Sequence, residues 1–141
     1  MRGKIHLWAG AVAIALAGCS SVPGIPDHLL GAWGGPHAGL AFQGGLAEVQ
    51  FDCASGTVDD PITPAKDGSF SAKGTYRTGT AGPVKVGQFF KSQGAIYSGR
   101  IAKAAKEAPQ VMTLNVALED GTALGPFTLT EGIPPQITRC L

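Results

Sequence analysis

The side chains that could carry chemistry in this sequence stand next to glycine, proline and cysteine. His37 follows Gly34, Gly35 and Pro36, and Asp52 directly precedes Cys53. Two glycines before a proline suggest a backbone that bends sharply or approaches another group closely. A histidine beside a carboxylate such as Asp52 can serve as a general base or a metal ligand. The alternative is a histidine that bonds a backbone carbonyl at the start of a strand, and we favour that structural role.

Trp33 and Arg139 complete the candidate surface for a ligand or a partner. Trp33 can form the aromatic wall of a cavity, or it can plug one end of a barrel with its indole N–H bonded to the backbone. We favour the plug. Arg139 precedes Cys140 as Asp52 precedes Cys53, so a bond between the cysteines would bring this carboxylate and guanidinium together. A surface pair of that kind contributes about 0–1 kcal/mol, and we expect it to be structural.

No catalytic motif accompanies these residues. Tyr97-Ser98-Gly99 lacks the first glycine of a Gly-x-Ser-x-Gly elbow, and the sequence contains no phosphate-binding loop, HExxH motif or EF-hand loop. We therefore expect a protein that is not an enzyme, with no catalytic residues, no metal and no cofactor.

The first 18 residues have the composition of an export leader. Arg2 and Lys4 precede an unbroken run of 11 apolar or glycine residues at positions 7–17. A basic start followed by about 7–15 apolar residues is typical of a signal peptide. A membrane span needs about 20, so this run is too short to span a bilayer. The alternative, a buried N-terminal helix, does not account for the placement of the charges. The sequence predicts a signal peptide over residues 1–18.

The leader ends in Leu16-Ala17-Gly18-Cys19, which resembles the lipobox of bacterial lipoproteins. The resemblance implies that the Cys19 thiol carries a diacylglycerol, that the leader is cut before Cys19, and that acyl chains such as palmitate anchor the product. Each buried methylene contributes about 0.8 kcal/mol, so two or three chains hold firmly. In that class, serine rather than aspartate at position 20 directs the product to the outer membrane, where it faces the periplasm.

Charge excludes some partners. Beyond the leader, nine Lys and Arg stand against ten Asp and Glu, which leaves a net charge of −1. A near-neutral domain lacks the basic patch that nucleic acid requires. The expected partners are therefore the membrane, through the N-terminal lipid, and an envelope protein.

Two cysteines remain if Cys19 is lipidated. Outside the inner membrane the compartment is oxidising, so Cys53 and Cys140 are expected to form a disulfide. A metal pair and a reactive thiol are the alternatives. The absence of a nearby CxxC or HxxxH spacing disfavours a zinc site.

Residues 19–30 are predicted to form a lipidated, flexible tether, and residues 31–141 are predicted to form one β domain. Two prolines, a glycine and two serines oppose regular structure in the tether, which includes His28. Further on, apolar and polar residues alternate, as in strands with one buried face. The alternating segments are residues 46–53, 69–76, 95–101, 111–118 and 127–130, with further strand segments at 40–42 and 84–90.

Dipeptides that contain glycine lie between these segments and predict turns. Gly44-Gly45, Asp67-Gly68 and Asp120-Gly121 supply the positive φ angles of tight hairpins. Gly125-Pro126 predicts a bulge or an edge position, because proline cannot donate to a ladder. Residues 101–108 read as a helical turn or a loop.

Seven or eight short strands favour an all-β antiparallel meander. We expect it to close as a small lipocalin-like barrel, with a β-sandwich as the alternative, because closure removes exposed edges. A Cys53–Cys140 bond would then join the last strand to an early one. We expect a packed interior. The inward side chains would be Leu40, Phe42, Val49, Phe51, Phe70, Tyr76, Tyr97, Met112, Leu114, Val116, Leu118, Phe127 and Leu129.

A family resemblance extends over most of the mature chain. It rests on Gly31-Ala32-Trp33-Gly34-Gly35-Pro36-His37, Phe51-Asp52-Cys53-Ala54-Ser55-Gly56, Gly82-Pro83, Tyr97-Ser98-Gly99 and Arg139-Cys140-Leu141. These segments resemble a group of uncharacterised small bacterial lipoproteins. The resemblance implies the fold and the location in the cell envelope, and it assigns no catalytic role to any residue of this chain. The Gly-x-Trp start is also similar to the first strand of lipocalin-type and avidin-type barrels.

Four functions remain in competition. We favour an interaction or structural protein of the cell envelope that uses an outer face or a rim. The second hypothesis is a carrier with a small apolar ligand or lipid inside the barrel. The third is an inhibitor of a wall-degrading enzyme, similar in size and anchorage to lipoprotein inhibitors of lysozyme. An enzyme is the last.

Overall fold

The chain folds into a closed antiparallel β-barrel. A computed structural model describes residues 29–79, 83, 85–88, 90–102 and 107–140. The strands follow one another around the barrel in chain order, and the last pairs with the first. They are β1 (Ala32–Gly35), β2 (Ala38–Gln43), β3 (Leu46–Phe51), β4 (Ala54–Val58), β5 (Ser69–Thr78), β6 (Ser92–Ala102), β7 (Val111–Leu118) and β8 (Ala123–Glu131). The predicted barrel is confirmed, and the alternative sandwich is excluded.

The leader, Cys19 and His28 lie outside the described residues, so the signal peptide and the lipid anchor stay predictions. Within the described ranges, no helix is long and apolar enough to cross a membrane.

Alternating polarity and turn glycines account for most of the strands. Every second residue of β7 is buried and the others are exposed, as its sequence pattern predicts. Gly44 and Gly45, with φ angles of 60° and 87°, form the turn between β2 and β3. Gly121 has a φ of 89° in the turn between β7 and β8. These hairpin predictions are confirmed.

The predicted irregularity of β8 is also confirmed. Leu114 of β7 pairs with Phe127, and Val116 pairs with Leu124, so the register shifts between these pairs. Gly125 and Pro126 together face one residue of β7, which is the arrangement of a bulge.

Two strand predictions were wrong. β4 was not predicted, because two of its inward positions, Ala54 and Gly56, are small and weaken the alternation of polarity before Val58. Of the predicted strand at 84–90, the described residues 85–88 and 90 form no strand. The segment at 101–108 begins with the last two residues of β6, and residues 103–106 lie outside the described ranges.

Apolar side chains fill the barrel. Of the thirteen expected inward residues, all are at most 8% exposed except Tyr76 and Phe127, which are partly buried against the core. Tyr97 is fully buried, and its hydroxyl donates to the Thr75 carbonyl over 2.6 Å. A Cβ on Gly56 or Gly74 would overlap the Tyr97 side chain. The small inward residues therefore make room for this tyrosine, as a packed interior requires.

The chain enters and leaves the barrel at one end, which we call the entry end; it includes residues 29–31, 44–45, 59–68 and 132. Trp33 and Ile62 are each 1% exposed there. The Trp33 indole N–H donates to the Leu30 carbonyl over 3.2 Å, and the Leu29 N–H donates to the Ile62 carbonyl over 3.0 Å. Trp33 is thus the plug that we favoured. Leu29 and Leu30, assigned to the tether by sequence, belong to the barrel.

A C-terminal segment, residues 132–140, crosses the outside of β1 and β2. The Gln136 N–H donates to the Gly35 carbonyl over 3.0 Å, and the Gln136 carbonyl accepts from the His37 N–H over 2.8 Å. Gly34 and Gly39 pair beneath it, and a Cβ on either would overlap residues 133–135. The close approach predicted at Gly34 is therefore real, and the approaching group is the C-terminal segment.

Candidate functional site

The opposite end of the barrel, which we call the disulfide end, carries the predicted site residues His37, Asp52 and Arg139, whereas Trp33 lies at the entry end. It includes residues 36–37, 52–53, 119–122 and the loop after β5. Cys53 and Cys140 form the predicted disulfide, with Cα atoms 5.0 Å apart and a sequence separation of 87. Cys53 lies in the turn between β3 and β4 with a φ of 54°.

The disulfide joins different elements from those expected. Cys140 lies beyond β8, so the bond fastens the C-terminal segment rather than the last strand. Pro134 and Pro135 explain the difference, because neither has an N–H to donate to a ladder.

The register of β2 and β3 brings His37 and Asp52 together. Ala38 pairs with Phe51, so the residue before β2 and the residue after β3 are neighbours. Nδ1 of His37 and Oδ2 of Asp52 form a hydrogen bond, which is also an ion pair when the imidazole is protonated. His37 has a φ of 67°, which is uncommon for a residue other than glycine. The His37 side chain therefore bonds a carboxylate, as the functional interpretation required, and not the backbone carbonyl that we favoured.

Asp52 also holds the C-terminal segment. Its Oδ1 accepts from the Thr138 N–H over 2.7 Å, and the Cys53 N–H donates to the Thr138 carbonyl over 3.3 Å. The Thr138 N–H, and secondly the His37 bond, hold the pKa of Asp52 below its ordinary value. Asp52 is therefore ionised at neutral pH, and it ties three separate segments together.

The predicted pair between Asp52 and Arg139 is not formed. In the described ranges, the ion pairs are His37 with Asp52 and Arg100 with Asp67. Both carboxylate oxygens of Asp52 already have partners in Thr138 and His37. Arg139 is exposed beside a depression of about 320 Å³ that includes the disulfide, and its guanidinium has no hydrogen-bond or ion-pair partner in the part of the chain that the structure describes.

The bond at Nδ1 leaves the other ring nitrogen of His37 to solvent. The His37 side chain is 64% exposed, and an ionised Asp52 favours the tautomer with the proton on Nδ1. Nε2 is then the atom that can accept a proton or a hydrogen bond from another molecule. None of the hydrogen bonds among the described residues engages Nε2, and no group of three His, Cys, Asp or Glu side chains there could hold a metal ion.

Aromatic rings lie beneath this rim. Phe51 contacts Tyr76 and Phe127 with ring centroids 5.6 and 5.5 Å apart. A depression of about 380 Å³ separates His37 from the bulge of β8, and it is lined by Pro36, His37, Gly125, Pro126, Phe127 and Thr128. The Arg77 guanidinium lies over the Phe90 ring, 5.4 Å from its centroid. Aromatic residues and arginine on an ordered surface are typical of protein interfaces.

Sequence reasoning missed Thr138 and the partial exposure of Tyr76 and Phe127. A clue to Thr138 was available, because a bond from Cys53 to Cys140 places residue 138 near residue 52. No comparable clue marked Tyr76 and Phe127, whose alternation places them inward and does not show how close to the open rim they lie.

Among its described residues, the disulfide end shows exposed polar side chains and no assembled catalytic set. His37 has an orienting carboxylate and a free ring nitrogen, which are two of the three parts of a nucleophilic triad. Comparisons with protein-family models, with curated proteins and with solved structures found no match for this chain.

Proposed function

We propose that the mature chain is a non-enzymatic lipoprotein of the cell envelope, anchored through Cys19 to the outer membrane, that binds an envelope protein through its disulfide end. The observation that supports this most strongly is the combination of order and exposure at that end. Three chain segments are fixed there by the disulfide and by Asp52, while the His37 and Arg139 side chains stay open to solvent.

Order in the unbound state favours binding. A loop that must become ordered on association loses conformational entropy, and this loss weakens the complex. The turns that carry His37 and Asp52 are already linked to each other and to the C-terminal segment. A partner would therefore meet a formed surface.

The position of the anchor supports the same face. Leu29 follows the predicted lipidation site by ten residues and lies at the entry end. The disulfide end is the opposite end of the barrel, away from the point of attachment. A partner could approach it without displacing the acyl chains.

The competing functions have less support. A carrier needs internal space, whereas Tyr97 crosses the interior to Thr75 and the inward side chains are buried. An inhibitor of a wall-degrading enzyme is one form of the protein partner proposed here, and the same experiment would reveal it.

Photocrosslinking in cells tests the proposal. A photoreactive amino acid would replace Thr128, beside His37, or Arg139, and matched variants would carry it at Glu48 or Ser71. These control positions are exposed on the outer faces of β3 and β5, away from the disulfide end. We expect one adduct of defined mass from both disulfide-end positions and none from the controls. Equal adducts from all four positions, or none from any, would contradict the proposal.

Anchoring is tested separately. Wild-type protein should label with palmitate and sediment with membranes, and Cys19→Ala should lose the label and be soluble or uncleaved. A Cys19→Ala protein that still labels and sediments would show that the anchor lies elsewhere.

A further inference from the structure

The exposed apolar side chains of the barrel are concentrated at the entry end. Among the described residues, six large apolar side chains are exposed. Four of them lie at or next to the entry end: Leu30 is 49% exposed, Leu46 49%, Val111 37% and Ile133 42%. Single exposed apolar residues are common on soluble proteins, but grouping at one pole is not expected by chance.

Strand pairing shows that these four residues form a continuous arc. Val111 of β7 pairs with Thr130 of β8, three residues before Ile133. The Gly132 N–H donates to the Ala32 carbonyl, which links β8 to β1. Leu30 is adjacent to Gly31, whose carbonyl accepts a hydrogen bond from the Phe42 N–H of β2. Gln43 follows Phe42 in β2 and pairs with Leu46 of β3. The arc therefore runs over β7, β8, β1, β2 and β3.

The other half of the entry end is charged. The connection from β4 to β5 exposes Asp59, Asp60 and Lys66, and Arg100 of β6 pairs with Asp67. Glu131, at the end of β8, and Glu48, two residues after Leu46 on the outer face of β3, are acidic residues next to the apolar arc. This end of the barrel is therefore divided into an apolar half and a charged half, as in elements that lie at a membrane interface.

We infer that the apolar arc of Leu30, Leu46, Val111 and Ile133 lies against the lipid bilayer that holds the N-terminal acyl chains. The inference rests on the proposed anchoring through Cys19. Leu30 belongs to the arc and follows the tether directly, so the arc is the part of the barrel closest in sequence to the lipid. Ten residues can span at most about 35 Å. At that distance a weak apolar contact with the bilayer becomes intramolecular and is populated.

Spin labelling of the lipidated protein in vesicles tests this orientation. Cys19 is acylated and Cys53 is bonded to Cys140, so an introduced cysteine is the reactive thiol of the mature chain. Leu46→Cys would carry the nitroxide in the arc, and Val86→Cys, at a fully exposed position in the loop after β5, would be the matched control. The vesicles would contain phosphatidylethanolamine and phosphatidylglycerol, and accessibility would be measured to oxygen and to a water-soluble nickel chelate.

We expect the label at position 46 to favour oxygen over the nickel chelate by about threefold or more relative to position 86, as lipid contact requires. Equal accessibility at the two positions in incorporated protein would overturn docking while leaving the anchor intact. Spin–spin broadening at position 46 would show a second copy covering the arc and would also overturn it. Protein that carries no acyl chain and stays out of the vesicles would overturn the anchor, and the inference with it.

A double variant separates docking from local misfolding. Leu30→Asp with Ile133→Asp should make the label at position 46 accessible to the nickel chelate while the protein stays in the vesicles. The matched change, Thr63→Asp with Lys66→Asp on the charged half, should leave that label in lipid. If the matched change has the same effect as Leu30→Asp with Ile133→Asp, the arc does not specify the orientation.

Discussion

The two ends of the barrel are closed by different interactions. At the entry end, Trp33 and Ile62 are buried and close the barrel by apolar packing. At the disulfide end, closure comes from the Cys53–Cys140 bond and from the hydrogen bonds of Asp52. Apolar packing does not depend on pH or on redox state, whereas the carboxylate hydrogen bonds depend on pH and the disulfide depends on redox state.

This difference explains how one end can be ordered and still available. Packing stabilises an end only by burying the side chains that do it, and Trp33 has no surface left for another molecule. Covalent and polar links hold the backbone instead, so the His37 and Arg139 side chains remain exposed at the disulfide end. A domain this small buries a limited core, so such links also matter for its stability.

The largest effect is expected from removing the plug. Trp33→Ala should lower the free energy of unfolding by about 3–5 kcal/mol, because it leaves a cavity at the entry end. Phe127→Ala at the other end should cost less, since Phe127 is only partly buried. Urea unfolding of both variants measures the difference. Equal losses would show that packing is as important at the disulfide end as at the entry end.

Breaking the disulfide should have the next largest effect. Cys53→Ser with Cys140→Ser opens a loop with a sequence separation of 87. The chain-entropy model gives about 4.7 kcal/mol for a loop of 100 residues, and measured effects are often smaller. We expect a clearly lower melting temperature and unchanged far-ultraviolet circular dichroism. Two free thiols in folded protein prepared from the periplasm would refute the disulfide.

A smaller effect is expected midway between the ends. Tyr97→Phe removes the hydroxyl that donates to the Thr75 carbonyl and should cost about 1 kcal/mol. Burial raises the pKa of the Tyr97 phenol above its ordinary value. In an alkaline ultraviolet titration, Tyr97 should therefore ionise only as the protein unfolds. If folded wild type instead shows more phenol ionisation than folded Tyr97→Phe, Tyr97 ionises without unfolding and this prediction is wrong.

The smallest effect is expected at Asp52, and it depends on pH. The pKa of Asp52 is lower in the folded protein than its ordinary value of 3.8. Its contribution to stability is therefore present above about 3.8 and is lost as the pH falls through the folded-state pKa. Asp52→Asn should be less stable than wild type at pH 7, and the two should converge as the pH falls below 3.8. A difference that persists unchanged to pH 2 would mean that charge is not its cause.

The sequence predicted elements whose signal is local. Alternation defined β7, glycine pairs defined the hairpin turns, and the count of cysteines outside the leader predicted the disulfide. It did not reveal β4, where Gly56 faces Tyr97 from inside the barrel and Val58 is the one large apolar residue that points inward. Such a position depends on a contact between distant strands.

The predicted site was only partly right for the same reason. The contact between His37 and Asp52 depends on the pairing of Ala38 with Phe51, and polarity does not fix that register. Arg139 was expected to pair with Asp52 because of its neighbour Cys140. The path of the C-terminal segment instead presents the Thr138 N–H to that carboxylate, and a backbone path across the barrel cannot be read from the sequence.

Hydrogen–deuterium exchange under reducing conditions tests most directly the claim that covalent and polar links hold the disulfide end. Reduction should speed exchange at the amides of Cys53, Gln136 and Thr138, because each of these N–H groups donates a hydrogen bond that joins the C-terminal segment to the barrel. The amides of Phe42 and Leu29 at the entry end should keep their protection, because apolar packing holds them. An equal rise at both ends, or no rise at the disulfide end, would contradict the account.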